Sequence, residues 1–279
     1  MTGPLAERLR AITFDFGNTL VPVDRASLRR VVEVTAARLA HDLGPFDVDA
    51  FLSAWGEERD RQFREELPRF REVDLAQRLV RVLARLRGMT PPASDATWDD
   101  DLAAGRSTTE EIETAIEVYS DSFVDGIPPP PLVGPFLARF AERWPLAILS
   151  NWPLAATADR YVERAGWGPS LTAIVVSQRV GTIKPQAAIF HAAEDALGVD
   201  PPDRGRILHV GDDWAADVVG AKNAGWLAAY LRGRPDDSPL PSSVPDESVV
   251  PDLELAVLGE LEGALFDAAP AGSDRGIAR

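Results

Sequence analysis

The chain reads as an α/β protein: a Rossmann-like three-layer core on a parallel sheet, with an all-helical cap domain inserted into it. Two observations predict this. Five short apolar runs, at residues 11–16 (AITFDF), 145–150 (PLAILS), 173–177 (AIVVS), 206–211 (RILHVG) and 226–231 (WLAAYL), mostly alternate with helical patterns. That is the rhythm of βαβ units. One interval breaks it: residues 23–127 hold no strand pattern, only amphipathic helices.

The elements follow in order. The first run ends on Asp15 and turns at once through "FGNT". Helices are expected near 25–42, 47–66, 72–88 and 108–124. The last opens with "STTEE", which offers Ser107 or Thr108 as N-cap and Glu110 or Glu111 as its box partner. Residues 88–107 read as a polar loop, and "GIPPPPLVGP" (126–135) as a stiff proline hinge back into the core. Residues 232–247 read as a Pro/Asp/Ser loop, 253–265 (LELAVLGELEGAL) as a final helix and 268–279 as a frayed tail. The expected division is a discontinuous core, 1–22 and 128–267, and a cap, 23–127. There is no internal repeat.

Composition narrows the function. The 279 residues are 45% hydrophobic and 26% charged, ordinary values for a globular chain. The net charge of −15 argues against nucleic acid and anionic membranes as partners. It also repels phosphorylated ligands at long range, so a site for one needs local positive charge. Cysteine is absent, which excludes disulfides, thiolate catalysis and Cys-ligated metal. The first ten residues contain no apolar signal core, and no apolar run approaches the roughly 18 residues that span a bilayer. A cytoplasmic protein is expected. Nothing in the sequence sets the oligomeric state. The chain has 27 arginines but only two lysines, Lys184 and Lys222. A lysine kept against that bias suggests a place where arginine fails.

In a parallel sheet, ligands sit beyond the C-terminal strand ends. Those ends carry Asp15, Ser150 with Asn151, and the acidic cluster "GDDWAAD" (211–217); "GTIKP" (181–185) precedes a helix. A carboxylate, a hydroxyl, an ammonium and clustered acids suit phosphoryl transfer through an aspartyl-phosphate. The carboxylate attacks phosphorus, Mg²⁺ held by carboxylates neutralises charge, and lysine and hydroxyl hold the phosphoryl oxygens. Taken singly, each residue has a plainer use. Asp15 suits a turn cap, Ser150 a helix N-cap, Lys184 a solvated surface, and Asp212, Asp213 and Asp217 a solvated acidic loop. Trp152 and Trp214, beside these positions, suit either a pocket wall or core packing, and His209 a hydrogen-bonded core position.

In order and spacing, "FDFGNTL", "AILSN", "KPQAAIF" and "HVGDDWAADVVGAKNAGW" resemble the four motifs of the haloacid dehalogenase superfamily of hydrolases, across residues 11–231. The resemblance implies a phosphatase of small phosphorylated metabolites that uses Mg²⁺. It makes Asp15 the nucleophile, with Lys184 as its catalytic partner. Thr19, Ser150, Asn151 and Lys184 would bind the phosphate ester. Asp15, Asp212 and the carbonyl of Gly17 would bind the metal, with Asp213 and Asp217 in support.

Gly17 departs from the pattern. Two residues after the nucleophile the superfamily usually carries a second aspartate, which protonates the leaving group; Gly17 keeps the carbonyl and loses the acid. A phosphomutase, which needs that acid, is disfavoured. A phosphonate hydrolase needs a cap lysine, and residues 21–127 contain none. Two alternatives remain beside the phosphatase: a non-catalytic or regulatory binding protein on the same fold, and a metal-independent 2-haloacid dehalogenase.

Overall fold

The structure is a computed structural model that describes residues 5–91, 106–246 and 249–266. Six strands, β1 (Ala11–Phe14), β2 (Leu146–Ser150), β3 (Ala173–Val176), β4 (Ile207–Gly211), β5 (Leu227–Leu231) and β6 (Leu253–Leu255), form one sheet in the order β3-β2-β1-β4-β5-β6. Every pairing is parallel. The strands are continuous apolar runs because both sheet faces are covered. β1, β2 and β4 are buried along their whole length.

The sequence supplies the helix signals. A short α1 (Leu5–Arg8) precedes β1. Between β1 and β2 lie α2 (Arg25–Asp42), α3 (Val48–Glu65), α4 (Leu75–Leu86) and α5 (Thr109–Gly126), then α6 (Val133–Ala141). Asp24, Asp47 and Asp74 cap the first three of these, each accepting a backbone N–H one turn in. Of the residues offered for the α5 box, Thr108 and Glu111 form it. The remaining helices are α7 (Ala155–Ala165), α8 (Ser177–Val180), α9 (Ala187–Leu197), α10 (Gly220–Asn223) and α11 (Glu260–Phe266). A π-helical turn, Trp214–Val219, leads into α10.

One apolar cluster runs from Phe14 and Ile148 on the sheet, through Phe123 and Trp152, to Phe51, Trp55 and Leu79 in the helical insert. Phe123 is the joint. It meets Trp152 and Tyr161 edge to face at 5.3 and 6.0 Å. A smaller cluster with Leu149, Phe190 and Trp226 covers the opposite face.

The expected five-strand sheet has a sixth strand, and the final helix is shorter than predicted. Residues 253–255 are β6, not helix, and only Glu260–Phe266 is helical. The alternation Leu-Glu-Leu beside the open edge of β5 satisfies the edge hydrogen bonds, and Leu255 goes into the core. The stretch 92–105 of the polar loop and the 268–279 tail lie outside the described residues. Among the described residues no helix is long and apolar enough to cross a membrane.

Candidate active site

The sheet register brings the charged groups together. Phe14 pairs with both Ile148 and Val210, so the residues just after the central strands share one edge. The Asp15 amide continues that ladder, donating to the Val210 carbonyl at 2.8 Å. Lys184, on the loop before α9, reaches the same edge and is almost fully buried. Its Nζ donates to Asp15 Oδ1 at 2.7 Å, Asp217 Oδ1 at 2.6 Å and the Leu149 carbonyl at 2.9 Å. An ammonium has three protons, and each has an acceptor.

The two carboxylates on this ammonium are not equivalent. Asp217 also takes His209 Nε2 at 3.0 Å on Oδ1 and the Asp213 amide at 2.8 Å on Oδ2. Burial opposes its charge, but Lys184 and His209 outweigh burial and hold its pKa below the usual carboxylate range. Asp15 has fewer donors. Burial pushes it up to about 6; Lys184 pulls it back and Asp217 adds repulsion. Burial disfavours the Lys184 charge, yet the two aspartates hold its pKa above that of an ordinary lysine. His209 is the buried hydrogen-bonded core residue expected. Thr13 Oγ1 lies 2.8 Å from its Nδ1. Burial and Lys184 lower its pKa against the pull of Asp217, and the neutral imidazole is favoured.

Gly211 makes this packing possible: a Cβ there would fall 2.2 Å from the Asp217 carboxylate. Asn151 clasps the lysine backbone. Its Oδ1 accepts the Lys184 amide at 2.7 Å, and its Nδ2 donates to the Lys184 carbonyl at 3.1 Å.

Asp212 completes the edge. Carboxylate oxygens of Asp15, Asp212 and Asp217 all lie within 4.8 Å of one another. Burial, then repulsion from Asp15 and Asp217, raises Asp212 to about 8, against the pull of Arg234 and Lys184. An acidic cluster this poorly compensated, made of hard oxygen donors, fits a hard divalent cation such as Mg²⁺. Both Asp217 oxygens carry short hydrogen bonds, 2.6 and 2.8 Å, whereas Asn18 and Thr19 reach Asp212 only at 3.5 Å, so Asp15 and Asp212 are the more open arms. Arg234 already lies on one of them, with Nη1 3.1 Å from Asp212 Oδ2.

Arg234 belongs to the segment 232–246, which has no helix or strand and folds over the sheet edge. Ser238 Oγ meets the Asn18 side chain at 3.0 Å, and Ser243 Oγ donates to Asp213 Oδ1 at 2.8 Å. Leu240 closes over Gly17. A Cβ on Gly17 would fall 2.5 Å from Leu240 Cδ1 and 3.2 Å from the Trp152 ring. Position 17 therefore has no room for an aspartate unless Leu240 moves. Asn18 turns the chain there with φ 61°, a left-handed conformation that asparagine tolerates.

These residues line a cavity of about 350 Å³ with Asp15, Gly17, Ser150, Asn151, Lys184, Asp212, Asp213 and Asp217 on one side. Thr19 is not in the lining; its hydroxyl stands 3.5 Å from Asp212 Oδ1. Asp213 spends its carboxylate on Ser243 and, as cap of the π turn, on the Ala216 amide. Trp152 is a cavity wall. Trp214 is buried in the opposite core, edge to face with Tyr230 at 5.2 Å.

Sequence reasoning missed three parts of the site: Arg234, the Leu240 wall and Glu72. The first two sit in a segment read only as a loop. Glu72 sits at the start of the helix expected near 72–88. No sequence period marks any of them.

The model of the haloacid dehalogenase-like hydrolase family matches residues 9–225. Pyrimidine 5'-nucleotidase YjjG of Escherichia coli (strain K12) is 34% identical over 124 residues, 43% of this chain and 49% of that protein. The 5-amino-6-(5-phospho-D-ribitylamino)uracil phosphatase YigB of the same organism is 30% identical over 125 residues, 45% and 48% of the two chains. The chain thus spans about half the length of the curated relatives it matches. A 2-haloacid dehalogenase of Pseudomonas syringae pv. Tomato DC3000 superposes with TM-score 0.65 at 23% identity, covering 94% of this chain and all of that one (100%). A HAD phosphatase of Thermococcus onnurineus superposes with TM-score 0.55 at 21% identity, over 92% and 98% of the chains. Both structural likenesses are of fold alone.

Proposed function

The chain belongs to the haloacid dehalogenase-like hydrolases, and we propose that within them it is a Mg²⁺-dependent phosphatase of small phosphate esters. The observation that carries this is the Lys184 ammonium bridging Asp15 and Asp217 beside Asp212 at the open sheet edge. A buried ammonium 2.7 Å from Asp15 favours its ionised, nucleophilic form and screens the approach of a phosphoryl dianion. The phosphatase names of the curated relatives support the same reading.

In this reading an Asp15 oxygen attacks phosphorus. The ester P–O bond breaks, a phosphoaspartate forms, and water then hydrolyses it to restore the carboxylate. Ser150 and the backbone after it hold the phosphoryl oxygens, and Lys184 balances charge through both halves. Asp15, Asp212 and the Gly17 carbonyl would hold Mg²⁺, which when bound neutralises the carboxylates and the phosphoryl group. Position 17 carries no acid, so the departing oxygen takes its proton from water. The helical insert acts as the cap that closes the cavity and excludes bulk water.

The test is release of inorganic phosphate and of halide from panels of phosphate monoesters and 2-haloacids, with Mg²⁺ and with EDTA. Phosphate release that EDTA stops is the expected result. Halide release in EDTA would replace this reading with the dehalogenase, and no turnover of either panel would replace it with a binding protein.

A further inference from the structure

Glu72 is a partly buried carboxyl that the chemistry above does not use. It stands on the segment between α3 and α4, which the core holds at three places. The Phe70 carbonyl accepts the Ile183 amide at 3.3 Å and the Thr182 hydroxyl at 3.2 Å. The Leu75 amide donates to the Pro153 carbonyl at 3.0 Å. Between these latches the Glu72 carboxyl takes the Ser177 hydroxyl and the Val73 amide. Ser177 Oγ in turn accepts the Trp152 amide at 2.9 Å. Phe70 is left-handed, φ 55°, a conformation unfavourable for an aromatic residue. Strain at a latch beside a cavity points to a wall whose position matters.

Glu72 lines the same cavity as Asp15. Ser177 follows β3, and Asp15 follows β1, two strands away. At about 4.8 Å per strand the two ends stand roughly 10 Å apart. That is too far for Glu72 to protonate the oxygen leaving Asp15's phosphorus. It suits the far end of a leaving group about four to six bonds long. The cavity that Glu72 lines has a largely apolar wall, with Phe63, Leu67, Val73, Trp152, Ile183 and Leu240 in it. Lys184 is the one cation among the described lining residues, and its protons are taken.

Resting on the phosphatase reading, we infer that Glu72 selects the substrate: a monophosphate of a small, largely apolar alcohol that presents a hydroxyl or amino donor to the Glu72 carboxyl. A second phosphate or a carboxylate at that end would meet Glu72 with no cation among the described lining residues free to balance it. Burial pushes the Glu72 carboxyl up to about 7; Ser177 and the Val73 amide pull it down, Asp74 raises it and Arg78 opposes. A carboxyl so poorly solvated gains more from a ligand donor than a solvated one.

The test is a matched series of four-atom esters: butyl phosphate, 4-hydroxybutyl phosphate, 4-aminobutyl phosphate and 3-carboxypropyl phosphate. Wild type, Glu72→Gln and Glu72→Leu are compared by ratios of kcat/KM within each protein, which do not depend on how much of it is folded. Wild type should favour the amino and hydroxy esters over butyl by at least about tenfold, with the carboxy ester last. Glu72→Gln should keep the hydroxy preference and lose the amino one; Glu72→Leu should lose both. Equal ratios across the series in wild type, or unchanged ratios in Glu72→Leu, would overturn the assignment while leaving the phosphatase reading intact. Failure of wild type to cleave any ester, an aryl phosphate included, would overturn both.

Discussion

The cavity has two walls built on different rules. On the sheet edge each polar group is held by several others: Lys184 by three acceptors, Asp217 by three donors, Asn151 by the N–H and the C=O of Lys184. Across the cavity, the segments carrying Glu72 and Leu240 lie outside the strands and are fixed mainly by backbone latches and hydroxyls. The edge tolerates almost no change because each group neutralises or orients another. The far wall can change its side chains while its backbone stays latched. In the proposed reading, chemistry is fixed on the first wall and selectivity is open to variation on the second.

The largest expected effect is at the centre of the edge. Asp15→Asn keeps the shape and removes the proposed nucleophile, so kcat should fall at least about 10³-fold. The melting temperature should stay within about 4 °C, because Lys184 keeps Asp217 as a partner. Activity assays and calorimetry on one preparation check both.

Next comes stability. Lys184→Met leaves two buried carboxylates without their shared cation and should cost about 3–5 kcal/mol in denaturant unfolding. Leu240→Ala, on the other wall, should cost less than about 2 kcal/mol, since Leu240 is only partly buried. Equal costs would erase the contrast between the walls. Lys184→Arg should also fail in turnover, because a planar fork cannot place three protons on Asp15, Asp217 and the Leu149 carbonyl.

The contrast sharpens at Gly17, where the walls touch. Without an acid there, kcat/KM should fall steeply as leaving-group pKa rises, the missing catalysis being worth about 10²-fold or more. Gly17→Asp alone should not repair this, since its Cβ would strike Leu240. Gly17→Asp with Leu240→Ala makes room, and the slope should flatten only in the double variant. The rate series for the three proteins decides it.

The smallest effect belongs to Arg234, which reaches from the loop wall onto the edge. The Asp212 pKa is raised, to about 8, so its contribution to stability is present at acid pH and lost as pH rises toward 8. Metal-free protein should therefore melt lower at pH 8.5 than at pH 5.5, by at least about 3 °C. Arg234→Ala should deepen that fall and tighten Mg²⁺ binding severalfold in calorimetry, because the guanidinium and the cation share Asp212. Unchanged Mg²⁺ affinity would mean that Arg234 plays no part at the metal arms.

The sheet edge was largely legible in the sequence. Strands of one period ended on acids, a rare lysine preceded a proline, and glycine stood where a side chain had to pack on a strand end. The other wall was not legible. Glu72, at the start of a stretch read only as an amphipathic helix, becomes a cavity group only when Phe70 and Leu75 dock on residues from the core. Arg234 and Leu240 sit in a stretch with no period, positioned by Asn18, Asp213 and Gly17. β6 was misread because Leu-Glu-Leu fits a helix as well as a strand until the open edge of β5 decides it.

The most direct measurement of the central claim is trapping. Enzyme with Mg²⁺ and a ³²P-labelled monoester is quenched in acid during turnover and digested. The account predicts label on the peptide containing Asp15, released by hydroxylamine and absent from Asp15→Asn. Steady phosphate release with no labelled peptide, and with Asp15→Asn still active, would contradict it.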